Sequence, residues 1–277
     1  MTPKGSERRS RLRPLDRISP APAACAVPAT VGVTGGRLRV GLDAQEIERF
    51  ARGGDAAKLS GRDLAAAVAG GGDGATTVAG TLVAAHLAGI RVFATGGIGG
   101  VHRGGGSRLD VSADLVELAR RPVALVSAGA KAILDLAGTL ELLETQGVPV
   151  IGYGTDEFPA FYCRQSGLPL DVRVDRPEAA ARLMRAHWTL GLGGLLIANP
   201  PPKATALDPV EVEVLVGRAL DDAQSAGIGG KRLTPFLLDR VNELSGGRTL
   251  EANIALIEAN AALGADLAAA IAALDRH

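Results

Sequence analysis

The chain has 277 residues, 47% hydrophobic and 22% charged, a globular composition with length for one large α/β domain or two small ones. Thirty Lys and Arg balance thirty Asp and Glu and aromatics are only 3%, which argues against nucleic acid as the main partner and against an aromatic base-stacking platform. Two cysteines, Cys25 and Cys163, make neither a disulfide framework nor a structural zinc site and read as buried small hydrophobes in a reducing cytosol; no apolar run is long and charge-free enough to span a membrane, residues 263–274 reading as a packed terminal helix.

Residues 1–26 set six basic residues against two acidic ones, with four prolines and no hydrophobic period. Without an apolar h-region this is no secretory signal, and it reads as a disordered tail. From Val27 the pattern is regular. VPATVGV (27–33) and RLRVGL (37–42) read as strands joined at Gly35-Gly36. DAQEIERFA (43–51) reads as a helix capped by Asp43, AAKLS (56–60) is ambiguous, and 61–70 and 74–90 read as helices with small-residue faces.

Strand and helix then alternate. RVFATGG (91–97), PVALVSAGA (122–130), VPVIGYGT (148–155), LDVRVD (170–175) and GLLIANPPP (194–202) read as strands. The intervening helices are 112–121, opening on Ser112, 131–147 and 176–192. The last third is helical over 208–228, 234–247 and 250–274. This alternation predicts a sheet covered on both faces, with 27–277 as one domain. Ligands of such sheets gather at the strands' carboxyl ends, where TGGIGGVHRGGG, SAGAK, YGT and ANPPP fall.

Three features there carry chemistry. The glycine-rich stretch 94–106 is neither a dinucleotide fingerprint nor a P-loop, and it reads either as a backbone nest for an anion, with His102 and Arg103 adding charge, or as a surface loop. Asp110 and Asp114, four apart around Ser112, suit either a hard divalent cation in a shared pocket or the positive end of a helix. Lys131, at the end of a strand among small residues, reads either as a desolvated amine able to attack a carbonyl or hemiacetal carbon, or as a solvated lysine in a first helical turn. On spacing alone Lys58 is a surface lysine, and His86, His187 and His277 share no metal-ligand spacing.

The stretches 58–104, LDVSADL (109–115), 127–153, FPAFYCRQSG (158–167), 193–202, 234–247 and LEANIALIEANA (250–261) together resemble pseudouridine-5′-phosphate glycosidase, the indigoidine synthase A-like family, in the family's order. The resemblance implies a three-layer α/β/α sandwich around a mainly parallel or mixed sheet, and a cytoplasmic homotrimer with one Mn²⁺ per subunit. It implies reversible cleavage of pseudouridine 5′-phosphate to uracil and ribose 5-phosphate through a lysine Schiff base and a ring-opened sugar. By motif, Lys131 is the nucleophile, Asp110 the metal ligand, and Lys58, Val78, Ser112, Ala113, Asp114 and Asn253 line the substrate site.

The family also carries an upstream ALEST-x-x-x-HG segment whose glutamate protonates the leaving base, and residues 1–26 hold nothing like it. The expectation is therefore a domain incomplete at its N-terminus, with nucleophile and metal ligand but without that acid. Two alternatives stand beside the glycosidase: an impaired family member that keeps phosphosugar binding, and a Schiff-base aldolase acting on another sugar phosphate.

Overall fold

The computed structural model describes residues 26–52, 56–103 and 110–276. The tail expected over 1–26 lies almost wholly outside these residues, as do Cys25, residues 104–109 and His277.

The chain opens on a hairpin, β1 (Val31–Thr34) and β2 (Arg37–Val40), paired antiparallel with Thr34 opposite Arg37. The turn falls at Gly35 and Gly36, whose φ angles of 55° and 71° demand glycine. Helix α1 (Ala44–Ala51) follows, with Asp43 and Glu46 forming a reciprocal capping box. The ambiguous AAKLS segment contains β3 (Ala57–Leu59). After a short turn comes α2 (Leu64–Ala69).

The helix expected from Gly74 starts later than the sequence suggests. Gly74–Thr76 is β4, and α3 (Val78–Leu87) begins only after the cap at Thr77. The reason is packing: β4 runs beside β3 so closely that a Cβ on Gly74 would lie 2.3 Å from Leu59 Cδ1. These strands form a four-stranded mixed sheet in the order β2-β1-β4-β3.

A five-stranded sheet follows, in the order β10-β9-β11-β7-β5 and parallel at every pairing. Its strands are β5 (Val92–Ala94), β7 (Ala124–Ser127), β9 (Val150–Tyr153), β10 (Val172–Val174) and β11 (Leu195–Ala198). A two-stranded ribbon, β6 (Val101–His102) with β8 (Leu134–Asp135), leaves its edge. The helices are α4 (Ala113–Arg120), α5 (Leu136–Thr145), α6 (Pro177–Thr189), α7 (Pro209–Ser225), α8 (Leu233–Leu244) and α9 (Arg248–Leu274).

Every residue of β7 and β11 is buried, as a parallel sheet covered on both faces requires. Ala124, Val126, Leu195 and Ile197 pack under α6 and α9 with Met184, Leu263 and Leu267. Leu125, Leu196 and Ala198 point the other way and pack with Leu82, Leu118, Leu143 and Val216 from α3, α4, α5 and α7. This is the three-layer α/β/α arrangement expected from the sequence.

Helix α9 corrects one expectation. A helix is expected over 250–274, but no run long and apolar enough to cross a membrane; at 27 residues α9 is, by length and composition, both. Here Ala252, Leu256, Asn260, Leu263, Leu267 and Ile271 form one buried stripe at helical spacing. Asn260 is the polar residue in that stripe. Its Nδ2 donates to the Thr95 carbonyl (2.8 Å) and its Oδ1 accepts from Asn199 (2.9 Å), joining the chain just past β5 to the chain just past β11. Leaving such a group unpaired costs about 1–3 kcal/mol. Asn260→Ala is expected to lower the unfolding free energy by about that amount in urea titrations; a loss under about 0.5 kcal/mol would show that the amide does not tie these edges.

Candidate active site

Because the five strands are parallel, their carboxyl ends share one edge, and the segments after β5, β7, β9 and β11 gather there as expected. Two of them continue pairing beyond the strands. Ala128 N donates to Gly96 O (2.9 Å), Ile98 N to Gly129 O (3.1 Å) and Lys131 N to Ile98 O (3.1 Å). The fit is tight: a Cβ on Gly97 would lie 2.6 Å from the Phe161 ring, and one on Gly129 (φ +82°) would lie 2.1 Å from the Pro159 carbonyl oxygen. A Cβ on Gly100 would lie 2.3 Å from Thr139 Oγ1. The described part of the glycine stretch is therefore no loose surface loop. It is a segment whose glycines permit close packing.

Lys131 emerges from this junction half-buried. Burial holds its amine below the ordinary lysine range; the Asp114 carboxylate opposes that shift and the Lys58 ammonium adds to it. The structure corrects the placement of Lys131 in a first helical turn. Residues 132–133 form a turn, Leu134 and Asp135 pair with β6, and α5 begins at Leu136 under an Asp135 cap. Desolvation rather than a helix dipole therefore lowers this pKa.

Asp114 is 6% exposed. One of its oxygens accepts from Ala79 N and the other from Gly99 N, both at 2.8 Å. A Cβ on Gly99 would lie 2.3 Å from Ser112 Oγ. Ser112 caps α4 as expected, its Oγ accepting from Asp114 N (3.3 Å), and its own N donates to Gly100 O (3.0 Å). Ala113, the first helical residue, is exposed. Asp110 is also exposed, its carbonyl accepting from His102 N (3.0 Å). The expectation of two carboxylates in one cation pocket is thus corrected: Asp114 turns inward onto two amides while Asp110 faces solvent.

The remaining expected residues surround this junction unequally. Lys58 stands on β3, exposed and within electrostatic reach of Lys131. Val78 begins α3 with its side chain in the core, immediately before the Ala79 amide that holds Asp114. Asn253 sits on α9 with its Oδ1 3.3 Å from the place a Cβ on Gly96 would occupy. Lys58, Asp114 and Lys131 are brought together electrostatically, whereas Asn253 touches the site at Gly96 and Asp110 is joined to it through the β6 backbone.

Sequence reasoning missed the supports. Thr139 accepts from Val101 N (3.0 Å) and donates to Asp135 O (2.6 Å), locking the ribbon to α5. Phe161 holds φ at +62°, the one non-glycine residue with positive φ among those described, with its ring against Gly97. Cys163 is buried as expected, and its thiol is pushed up to about 12 by burial and by Asp208 and Glu211.

Residues 19–270 match the family described as "Indigoidine synthase A like protein". Among curated relatives, the pseudouridine-5′-phosphate glycosidase of Methylobacterium nodulans is 58% identical over 247 residues, 89% of this chain and 73% of that protein. The enzyme of the same name from Deinococcus radiodurans is 56% identical over 250 residues, 90% of this chain and 80% of that one. Among solved structures, the prealnumycin C-glycosynthase AlnA in complex with ribulose 5-phosphate superposes with a TM-score of 0.86 at 42% identity, covering 99% of this chain and 89% of that chain. An indigoidine synthase A-like protein from Thermotoga maritima gives 0.83 at 34% identity, over 95% and 87%.

A lysine whose pKa is lowered by burial opposes folding while it is charged. Between its lowered pKa and the ordinary 10.5 the unfolded chain binds more protons, so stability rises with pH through that window. Lys131→Met is expected to melt higher than wild type at pH 7, the gap closing as pH approaches 10.5. A lower melting temperature at pH 7 would mean that Asp114 more than offsets the burial.

Proposed function

We propose that this chain, which belongs to the indigoidine synthase A-like family, cleaves and forms the C–C glycosidic bond between a ribose 5-phosphate and uracil, as a pseudouridine-5′-phosphate glycosidase. The observation that carries the reading is Lys131: an amine of lowered pKa, half-buried at the carboxyl edge within electrostatic reach of Asp114 and Lys58. The names of the relatives and the ribulose 5-phosphate in the AlnA structure agree with it.

In this reading the neutral amine of Lys131 adds to the anomeric carbon, and the ring oxygen departs with a proton, opening the sugar. The nitrogen lone pair then forms an iminium as the bond to the uracil ring carbon breaks, that carbon taking a proton. Water hydrolyses the iminium and returns ribose 5-phosphate. Lys58 pairs with the phosphosugar's negative charge, and Val78, Ser112, Ala113, Asp114 and Asn253 shape the pocket, Asp114 through the two loops that it joins.

Among the described residues no group of three or more His, Cys, Asp or Glu is placed to hold a metal ion. A lone exposed carboxylate, Asp110, fits an ion that keeps most of its water. In this reading Asp110 holds a hydrated Mn²⁺, which supplies positive charge beside the phosphosugar. The same reading makes the protein a cytoplasmic homotrimer, which sedimentation of the purified protein tests.

A second reading has one observation in its favour. Asp114 is the carboxylate whose charge acts on Lys131, and both of its oxygens already accept from amides. A site in which no other acid serves the leaving base forms the lysine adduct but releases uracil slowly, since a general acid contributes about 10²–10⁴-fold.

Two experiments separate these readings. Borohydride added with ribose 5-phosphate is expected to reduce an adduct onto Lys131, located by mass spectrometry; label on another lysine would overturn the assignment. Uracil release then measures the full reaction, and Lys131→Ala is expected to lower it by on the order of 10³-fold or more. Trapping without release identifies the impaired enzyme. Asp110→Ala is expected to abolish activation by Mn²⁺ while leaving the melting temperature unchanged. If Asp110 instead serves the α4 terminus, the variant loses about 0.5–2 kcal/mol of stability with or without the ion.

A further inference from the structure

Arg103 lies where the ribbon leaves the glycine-rich segment, and four of its donor contacts are defined. Its Nε donates to Leu134 O (3.1 Å) and its Nη2 to Ala132 O (3.0 Å). The outer edge of the guanidinium forms a two-pronged pair with Glu213 of α7, Nη1 to Oε1 at 2.5 Å and Nη2 to Oε2 at 2.9 Å. Ala132 and Leu134 belong to the turn that begins at Lys131, and that turn is closed by Leu134 N donating to Lys131 O (3.0 Å). On its other side Lys131 is fixed by its own N–H on Ile98 O.

We propose that Arg103 is a positioning residue for Lys131: its guanidinium grips two carbonyls of the lysine's turn, and Glu213 holds the guanidinium flat for that grip. Four of its five N–H donors are turned onto the protein rather than toward a substrate. The planar fork matters. Three acceptors lie in different directions around one rigid group, and a lysine ammonium on a flexible stem does not satisfy them together. The pair with Glu213 is largely exposed on the glutamate side, where its own contribution to stability is small. Its value lies in orientation. The grip also joins the Lys131 turn to the strand carrying His102, whose N–H holds the Asp110 carbonyl, so one side chain sets the spacing between the amine and the carboxylate.

The inference rests on reading Lys131 as the nucleophile, but its first test needs no substrate. Acetic anhydride acylates only neutral amines, so competitive labelling across a pH series, followed by mass spectrometry, reports the titration of Lys131 in place. The charged groups acting on it are Asp114 of α4 and Lys58 of β3, and both are left intact. In wild type, Lys131 is expected to become reactive below the ordinary lysine range. In Arg103→Ala the turn loosens, water enters, and the midpoint moves up toward 10.5, the unperturbed value. Uracil release, or adduct trapping where release is slow, is expected to fall by about 10²-fold in kcat with KM little changed, the signature of misplacement rather than lost binding. Arg103→Lys keeps the charge but not the fork and is expected to behave like the alanine variant; Glu213→Gln is expected to fall between. A Lys131 labelling profile equal to wild type in folded Arg103→Ala, or in Arg103→Lys should the alanine variant not fold, overturns the proposal. A shifted profile in a protein whose wild type never traps ribose 5-phosphate keeps the grip and discards the nucleophile.

Discussion

The site depends on how closely two backbone segments approach one another beyond the end of the parallel sheet. Residues 96–98 and 128–131 go on exchanging hydrogen bonds where β5 and β7 have stopped, and the glycines there lie where a Cβ would strike Phe161, Pro159, Thr139 or Ser112. A run of glycine is costly to order because each one loses much backbone freedom. Here close packing and main-chain pairing offset that cost. The result is a rigid platform at the edge where open α/β sheets place their ligands, and it presents one lysine.

Rigidity makes the charge balance possible. A half-buried amine in a yielding site would swing to water and recover an ordinary pKa. Held by its own N–H on Ile98 and by the closed turn behind it, Lys131 stays where desolvation favours the neutral form. Lys58 pushes in the same direction and Asp114 pushes back. Both tendencies are useful to Schiff-base chemistry, which needs a neutral amine to attack and a cationic nitrogen afterwards. Asp114 can supply a counter-charge without becoming a ligand because Ala79 and Gly99 already occupy its oxygens.

Much of this was legible in the sequence. The strand and helix alternation gave the three layers, and residues such as Asp43 and Ser112 announced their caps because capping is local chemistry. Lys131 could be singled out from its strand end and small neighbours. The errors arose where distant residues decide. Gly74 to Thr76 became a strand because β3 lies alongside, and Lys131 was excluded from α5 because Leu134 and Asp135 pair with a ribbon that no local pattern signals. Asp110 and Asp114 looked equivalent by spacing, yet one faces solvent and the other meets an amide 35 positions away in sequence. Phe161 left no signal, since a positive φ on an aromatic residue is set entirely by what surrounds it.

The two larger sheets meet at that same carboxylate. Ala79 follows the cap of α3, directly after β4 in the four-stranded sheet, while Gly99 belongs to the segment that leaves the five-stranded one. Asp114 bonds to both from α4. Lys58 rides on the first sheet and Lys131 on the second. The placement of the two lysines relative to one another therefore rests on a side chain of α4, and the strength of that link comes from its burial, because charge-assisted hydrogen bonds at 2.8 Å gain most where water is excluded. Converting the carboxylate to an amide keeps the shape but supplies a donor where two donors already point. Asp114 thus holds the two halves of the site in register by its chemistry rather than its size.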